Sequence, residues 1–165
     1  MGLTEHWLAP ASVVPQQTGP DWLGEVDGET WSAGQGYHRG FSSSFAILQD
    51  KDVWFHWPFQ IEAGRSISGF KLLWEAEGDC RIGWAVAHHG GAERIPLTER
   101  LADVAGQSIP FQPPELWQNY YPPMDRTLSD FPLVEPLVTR FGLQLCVMAT
   151  GAGTIRFYGA AVVAG

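Results

Sequence analysis

The sequence predicts an all-β protein, an antiparallel β-sandwich, and three observations carry that expectation. Apolar residues recur with period two in short segments: in SGFKLLWEAE, Phe70, Leu72, Trp74 and Ala76 fall on one face while Lys71, Glu75 and Glu77 fall on the other. Turn signals separate the segments at residues 49–52, 63–65 and 78–79. Glycine and proline are abundant, 19 and 12 of 165 residues, and helical periodicity surfaces only in LTERLADV (residues 97–104), which reads as one or two helical turns. About 8 to 10 strands are expected, with jelly-roll and immunoglobulin-like topologies both open.

Residues 1–40 hold isolated apolar points (Trp7, Val13, Val14, Trp22, Trp31) among small polar residues, the pattern of short edge strands and turns, with one strand near residues 12–15. Strands are expected next at 45–48, 53–61, 66–77 and 80–88. The tight Gly78–Asp79 link predicts a hairpin between the last two. In CRIGWAVAHH, Ile82, Trp84, Val86 and His88 share one face. Residues 90–130, interrupted by GG, PFQPPE and YYPPMD, read as a long proline- and aromatic-rich excursion that serves function or covers a sheet edge. The chain returns to strand in PLVTRFGLQLCVMAT and TIRFYGAAVVA, joined through residues 151–153 as a second hairpin. There Phe141, Leu143, Leu145 and Val147 alternate against Gln144, Cys146 and Met148, and Ile155, Phe157, Ala161 and Val163 against Arg156 and Tyr158. No repeat or linker divides residues 1–165, so one domain is expected.

A chain of this length can bury roughly 70% of its unfolded surface, enough to fold without metal or disulfide. With 18 acidic against 10 basic residues, a formal charge of −8 and scattered cations, it would repel a phosphate backbone, so nucleic acid is not an expected partner. No apolar run approaches the ~20 residues that span a bilayer. The opening MGLTEHWLAPASVV carries Glu5 and Pro10 where a signal peptide needs an uninterrupted apolar stretch, so a cytoplasmic location is the expectation, with non-classical export left open. Cys80 and Cys146 then read as free, buried thiols, although a bridge would form if their strands were neighbours.

The order of features resembles an uncharacterised, domain-of-unknown-function family of small bacterial β-sandwich proteins. WLAPASV (Trp7 to Val13) resembles its opening W-x-H-G-x-x-V segment, with Ala9 and Pro10 where the pattern has His and Gly. WFHWP (Trp54 to Pro58) resembles its W-F-H strand, and RFGLQLCV (Arg140 to Val147) with TIRFYGAAV resembles its closing strands. The resemblance implies the fold, and implies that Trp54-Phe55-His56 is a structural signature. It supplies no substrate.

In DVWFHWPFQ, Val53, Phe55, Trp57 and Phe59 project to one side, the core, and Trp54 and His56 to the other. Trp54 and His56 are therefore candidate ligand-binding residues, weighed against packing under the N-terminal strand. Trp117, Tyr120 and Tyr121, in the proline-stiffened ELWQNYYPPMD, are a second candidate surface, weighed against an edge cover. The five histidines offer no metal spacing: His88 and His89 are adjacent and point to opposite faces, as solvated turn residues. A set built from His56, His88 and Cys80 would require one particular strand order. Ser42-Ser43-Ser44 reads as loop chemistry, and Glu75 and Glu77 as a solvated pair. No catalytic constellation, metal or cofactor is expected.

The leading functional expectation is a non-enzymatic binding or interaction module presenting aromatic residues to a carbohydrate, a small apolar ligand or a protein partner. The alternatives are a small enzyme, such as a hydrolase, isomerase or cyclase, using His56 or His88 as general acid or base, and a structural subunit of a larger assembly. A homo-oligomer is left open.

Overall fold

The computed structural model describes residues 2–26, 37–38, 42–112, 114–117 and 124–165. Within them lie thirteen strands, more than the number expected because several are brief edge bridges. In chain order they are β1 (Thr4–Leu8), β2 (Val14–Pro15), β3 (Leu23–Gly24), β4 (Tyr37–His38), β5 (Ser43–Ile47), β6 (Asp52–Phe59), β7 (Ser66–Gly78), β8 (Arg81–His89), β9 (Glu93–Pro96), β10 (Gln107–Phe111), β11 (Met124–Val138), β12 (Leu143–Thr150) and β13 (Gly153–Ala164). The only helical turns among the described residues are single 3-10 turns at Pro10–Ser12 and Glu115–Trp117, and no helix is long and apolar enough to cross a membrane.

Two antiparallel sheets pack face to face. One runs β10-β11-β7-β13-β5-β3, with β1 also on β13 and β4 also on β5; the other runs β2-β6-β12-β8-β9. From β5 onward the chain passes between sheets at nearly every step, β5 to β6 to β7 to β8. It pauses in the β8–β9 hairpin, then passes from β11 to β12 to β13. The four-strand cores β11-β7-β13-β5 and β6-β12-β8-β9 therefore have jelly-roll order, which decides the topology that the sequence left open.

Both expected hairpins are corrected by this order. β7 and β8 lie in different sheets, as do β12 and β13. Gly78 and Gly151 turn the two corners with φ of +73° and +86°, and the corners lie against each other, the Asp79 N–H donating to the Ala152 carbonyl at 2.9 Å. A tight turn signal says that the chain reverses. It does not say whether the reversal stays in one sheet or crosses the sandwich.

The alternation of β6 predicts its burial: Val53, Phe55 and Trp57 are 0% exposed and Phe59 is buried, in one cluster with Phe45, Phe70, Leu145 and Phe157. Phe55 and Trp57 meet the Phe157 ring edge-on at centroid distances of 5.0 and 5.7 Å. Two bulges revise the faces read elsewhere. In β8 the pairing with β12 slips between Met148 and Ala149, placing Gly83 as the extra residue. Ile82 therefore joins Ala85 and Ala87 in the core while Trp84, Val86 and His88 turn outward. In β13 the slip beside Tyr158 sends Ala160, Val162 and Ala164 inward in place of Ala161 and Val163. Phe141 precedes β12 and stays exposed.

Other expectations change where tertiary contacts override local pattern. LTERLADV is a strap without helix, with Leu101 at φ +61°. It is tied to β8 by Thr98 Oγ1, which accepts the Ala85 N–H at 2.9 Å, and by the Val104 N–H, which donates to the Ile82 carbonyl at 3.0 Å. Ser43 and Ser44 begin β5 and are buried, and the Ser43 hydroxyl donates to the Pro10 carbonyl at 2.8 Å. The stretch 90–130 is less irregular than expected, since it contains β9, β10 and the start of β11.

Glu75 is buried at 8% exposure rather than solvated with Glu77. Its carboxylate accepts from Arg156 Nη1 at 2.8 Å and from the Tyr158 hydroxyl at 3.0 Å. Burial raises its pKa, with Arg156 and Tyr158 pulling the other way. His89 is likewise a buried staple and not a solvated turn residue. Its Nδ1 lies 2.9 Å from Glu93 Oε1, and its Nε2 accepts the N–H groups of Arg140 and Phe141, each at 3.1 Å.

Candidate functional site

The outward face of the five-stranded sheet is where the chemistry gathers. Pairing of β6, β12 and β8 stacks it in rungs: Trp54, Met148 and Trp84 form one; His56, Cys146 and Val86 the next; Pro58, Gln144 and His88 the third. Met148 and Cys146 sit on the central strand and are buried between the larger side chains that flank them. The indoles of Trp54 and Trp84 meet over Met148, with ring centroids 5.2 Å apart and tilted by 54°.

Three segments frame this platform. Residues 14–17 run beside β6, the Gln16 N–H donating to the Trp54 carbonyl at 2.7 Å and Gln17 Oε1 accepting the Trp54 N–H at 3.0 Å. The β5–β6 link carries Asp50 at φ +61° and Lys51, whose ammonium lies 4.8 Å from the Trp22 ring centroid. The strap along β8 brings Arg100 to 5.5 Å from the Trp84 ring, and β9 brings Arg94 to 5.1 Å from that ring. The result is two adjoining hollows that share Trp54. The larger, about 390 Å³, is lined by Trp22, Trp54, Trp84 and Met148, with Gln17, Asp50, Lys51, Asp52 and Arg100 as its polar groups. The smaller, about 120 Å³, has His56 and Cys146 among its lining, with Gln16, His88 and Arg94 around them.

His56 is held from both sides. Burial pushes the Cys146 thiol up to about 12, with Arg94 pulling slightly the other way, so the thiol stays protonated and donates to Nδ1 at 3.0 Å. The ring proton then sits on Nε2 and donates to Gln16 Oε1 at 2.8 Å. Burial lowers the His56 pKa from the usual 6.5, and the neighbouring His88 pushes the same way. At mildly acidic pH the unfolded chain therefore binds a proton that the folded chain refuses. The stability contributed by neutral His56 is complete above the unfolded value and is lost as pH falls through the folded one. The urea midpoint is expected to drop between about pH 7.5 and pH 5, and His56→Gln to shrink that drop. An equal drop in the variant would contradict the assignment.

Of the residues singled out by sequence, Trp54 and His56 stand side by side on this face, half-buried. Trp117 closes the second 3-10 turn, but its side chain, like Tyr120 and Tyr121, lies outside the described residues. Cys146, not Cys80, is the thiol beside His56; both cysteines are free. Among the described residues no group of three or more His, Cys, Asp or Glu side chains is placed to hold a metal ion. Sequence reasoning missed Trp22, Trp84, Arg94 and Arg100. For Trp84 a signal existed, since a lone glycine inside a strand marks a bulge, and Gly83 reverses the face of the residues after it. For the arginines there was none, because their meeting over one indole depends on the path of the 97–104 strap. No protein-family model matches the chain, and no curated protein matches it in sequence.

Proposed function

We propose that the protein is a non-enzymatic binding module that takes a saccharide on the outer face of the β6-β12-β8 sheet. The observation that carries this reading is the convergence of Trp22, Trp54 and Trp84 on one hollow whose polar groups are Gln17, Asp50, Lys51, Asp52 and Arg100. Indole faces suit the apolar C–H faces of a sugar ring. Carboxylates, an amide and a guanidinium suit its hydroxyls, a mixture that a purely apolar ligand would leave unsatisfied. Jelly rolls serve lectins and unrelated proteins alike, so the support comes from the site and not from the fold. The enzymatic alternative needs a free base at His56 or His88; His56 has both ring nitrogens engaged, which leaves that reading to His88 at the edge of the smaller hollow. A protein partner is favoured by a different feature: an apolar groove between Ile95–Leu97 and Pro132–Leu137, beside the fully exposed Val134.

Intrinsic tryptophan fluorescence, with a glycan array to choose the ligand, tests the saccharide reading. Trp54→Ala and Trp84→Ala are each expected to weaken binding by about tenfold or more, the scale of an aromatic anchor, while the protein stays folded. A protein that binds no member of the array, or variants that bind as tightly as the parent, would remove the reading.

A further inference from the structure

The charge distribution around Trp84 narrows the ligand class, and this inference rests on the saccharide reading above. The chain is strongly acidic, with ten Lys and Arg against eighteen Asp and Glu. Among the described residues three cations are ion-paired, Lys71 to Glu5 and Asp130, Arg81 to Asp103, and Arg156 to Glu75 and Glu77, while Arg65, Arg126 and Arg140 are scattered singly over the rest of the surface without an Asp or Glu partner. At the tryptophan face three such cations gather together. Lys51 lies over Trp22, and Arg94 and Arg100 both lie over Trp84. None of the three has a carboxylate partner within ion-pair distance among the described residues. Both arginines are exposed, so their outward N–H groups are open to a ligand. Of the acids in the larger hollow, Asp52 accepts the Thr150 hydroxyl at 2.6 Å and Asp50 belongs to the β5–β6 link; both are away from the Arg94 side, where the neighbouring groups are His56, His88 and Gln16.

We propose that the saccharide taken by this face is acidic, bearing a carboxylate as a uronic-acid unit does, and that Arg94 and Arg100, which line the two hollows that share Trp54 and both lie over Trp84, bind that carboxylate. A guanidinium held over an indole by cation–π attraction is restrained in position while its N–H groups stay available, and its fork suits a planar two-oxygen acceptor. The two hollows together carry Lys51, Arg94 and Arg100 against Asp50 and Asp52, a local excess of positive charge that draws an anion to an otherwise acidic protein.

The test compares three members of one series on the intact protein: an oligogalacturonate, its methyl ester and a sulfated oligosaccharide of the same length, followed by tryptophan fluorescence at low and high salt and set beside the wider array. The acid is expected to bind at least about tenfold tighter than its ester and to lose most of that margin at high salt. In the Arg94→Gln/Arg100→Gln double variant, whose substitutions are on the surface, the acid-to-ester ratio is expected to fall to about one. If the ester binds as tightly as the acid, or the double variant keeps the preference, the arginine clamp is wrong while the saccharide reading stands. Preference for the sulfated member alone overturns the carboxylate. Array binding confined to neutral sugars also overturns the proposal. No binding anywhere on the array overturns both readings.

Discussion

Trp57→Ala is expected to destabilise the protein by about 3–5 kcal/mol, because the transfer term for a large aromatic and the cavity term add. The residue is wholly buried in the middle of β6, opposite Leu145 and edge-on to Phe157, where both sheets contribute close neighbours. Among the described residues its indole N–H has no hydrogen-bond partner. Trp57→Phe therefore gives up no hydrogen bond and should cost much less than the alanine variant. Urea melts of the two variants and of Trp54→Ala check the arrangement. If Trp54 were packed under the N-terminal strand, as the sequence also allowed, its loss would be expected to be severe. The structure lowers that expectation, because Trp54 is half-buried on the outer face and its replacement opens a surface hollow instead of a closed cavity. Equal losses at positions 54 and 57 would mean that the outer face is a second packed layer rather than a site.

Gly151→Val is expected to be comparably damaging, by about 2–6 kcal/mol, although it adds only a small side chain at a turn. Two costs combine. The backbone at φ +86° is one that a β-branched residue adopts only under strain, about 1–3 kcal/mol. A Cβ at this position would also overlap the Asp79 carbonyl oxygen of the neighbouring corner, with an overpacking cost of a further ~1–3 kcal/mol. Relief would mean parting the two corners at which the chain changes sheets. Gly64→Val is the control. It has a positive φ but open space around its Cβ, so it carries the first cost alone. If the two variants melt together, the contact between the corners contributes nothing.

Much of the β-sandwich was legible because period-two burial is a local property. β6 and β7 announce their core faces in their own residues, and the structure agrees at Val53, Phe55, Trp57, Phe70 and Leu72. Half of the candidate site was legible for the same reason: once Phe55 and Trp57 point inward, Trp54 and His56 must point outward. The residues that fill the face around them were not legible. The partner of His56 is Cys146, ninety residues away, and only the pairing of β6 with β12 brings them together.

The sequence by itself determined the strands at residues 53–61, 66–77 and 80–88, which side of β6 is core, and that the protein is acidic, since each depends only on a residue and its near neighbours or on a simple count. Tertiary structure alone decided the jelly-roll order, the crossing of the glycine corners from sheet to sheet, and the gathering of Trp22, Trp84, Arg94 and Arg100 beside Trp54. The physical reason is that strand pairing and bulges are set by a competition among whole strands for buried neighbours. A one-residue slip at Gly83 turns Trp84 from core to surface without changing a letter of the pattern.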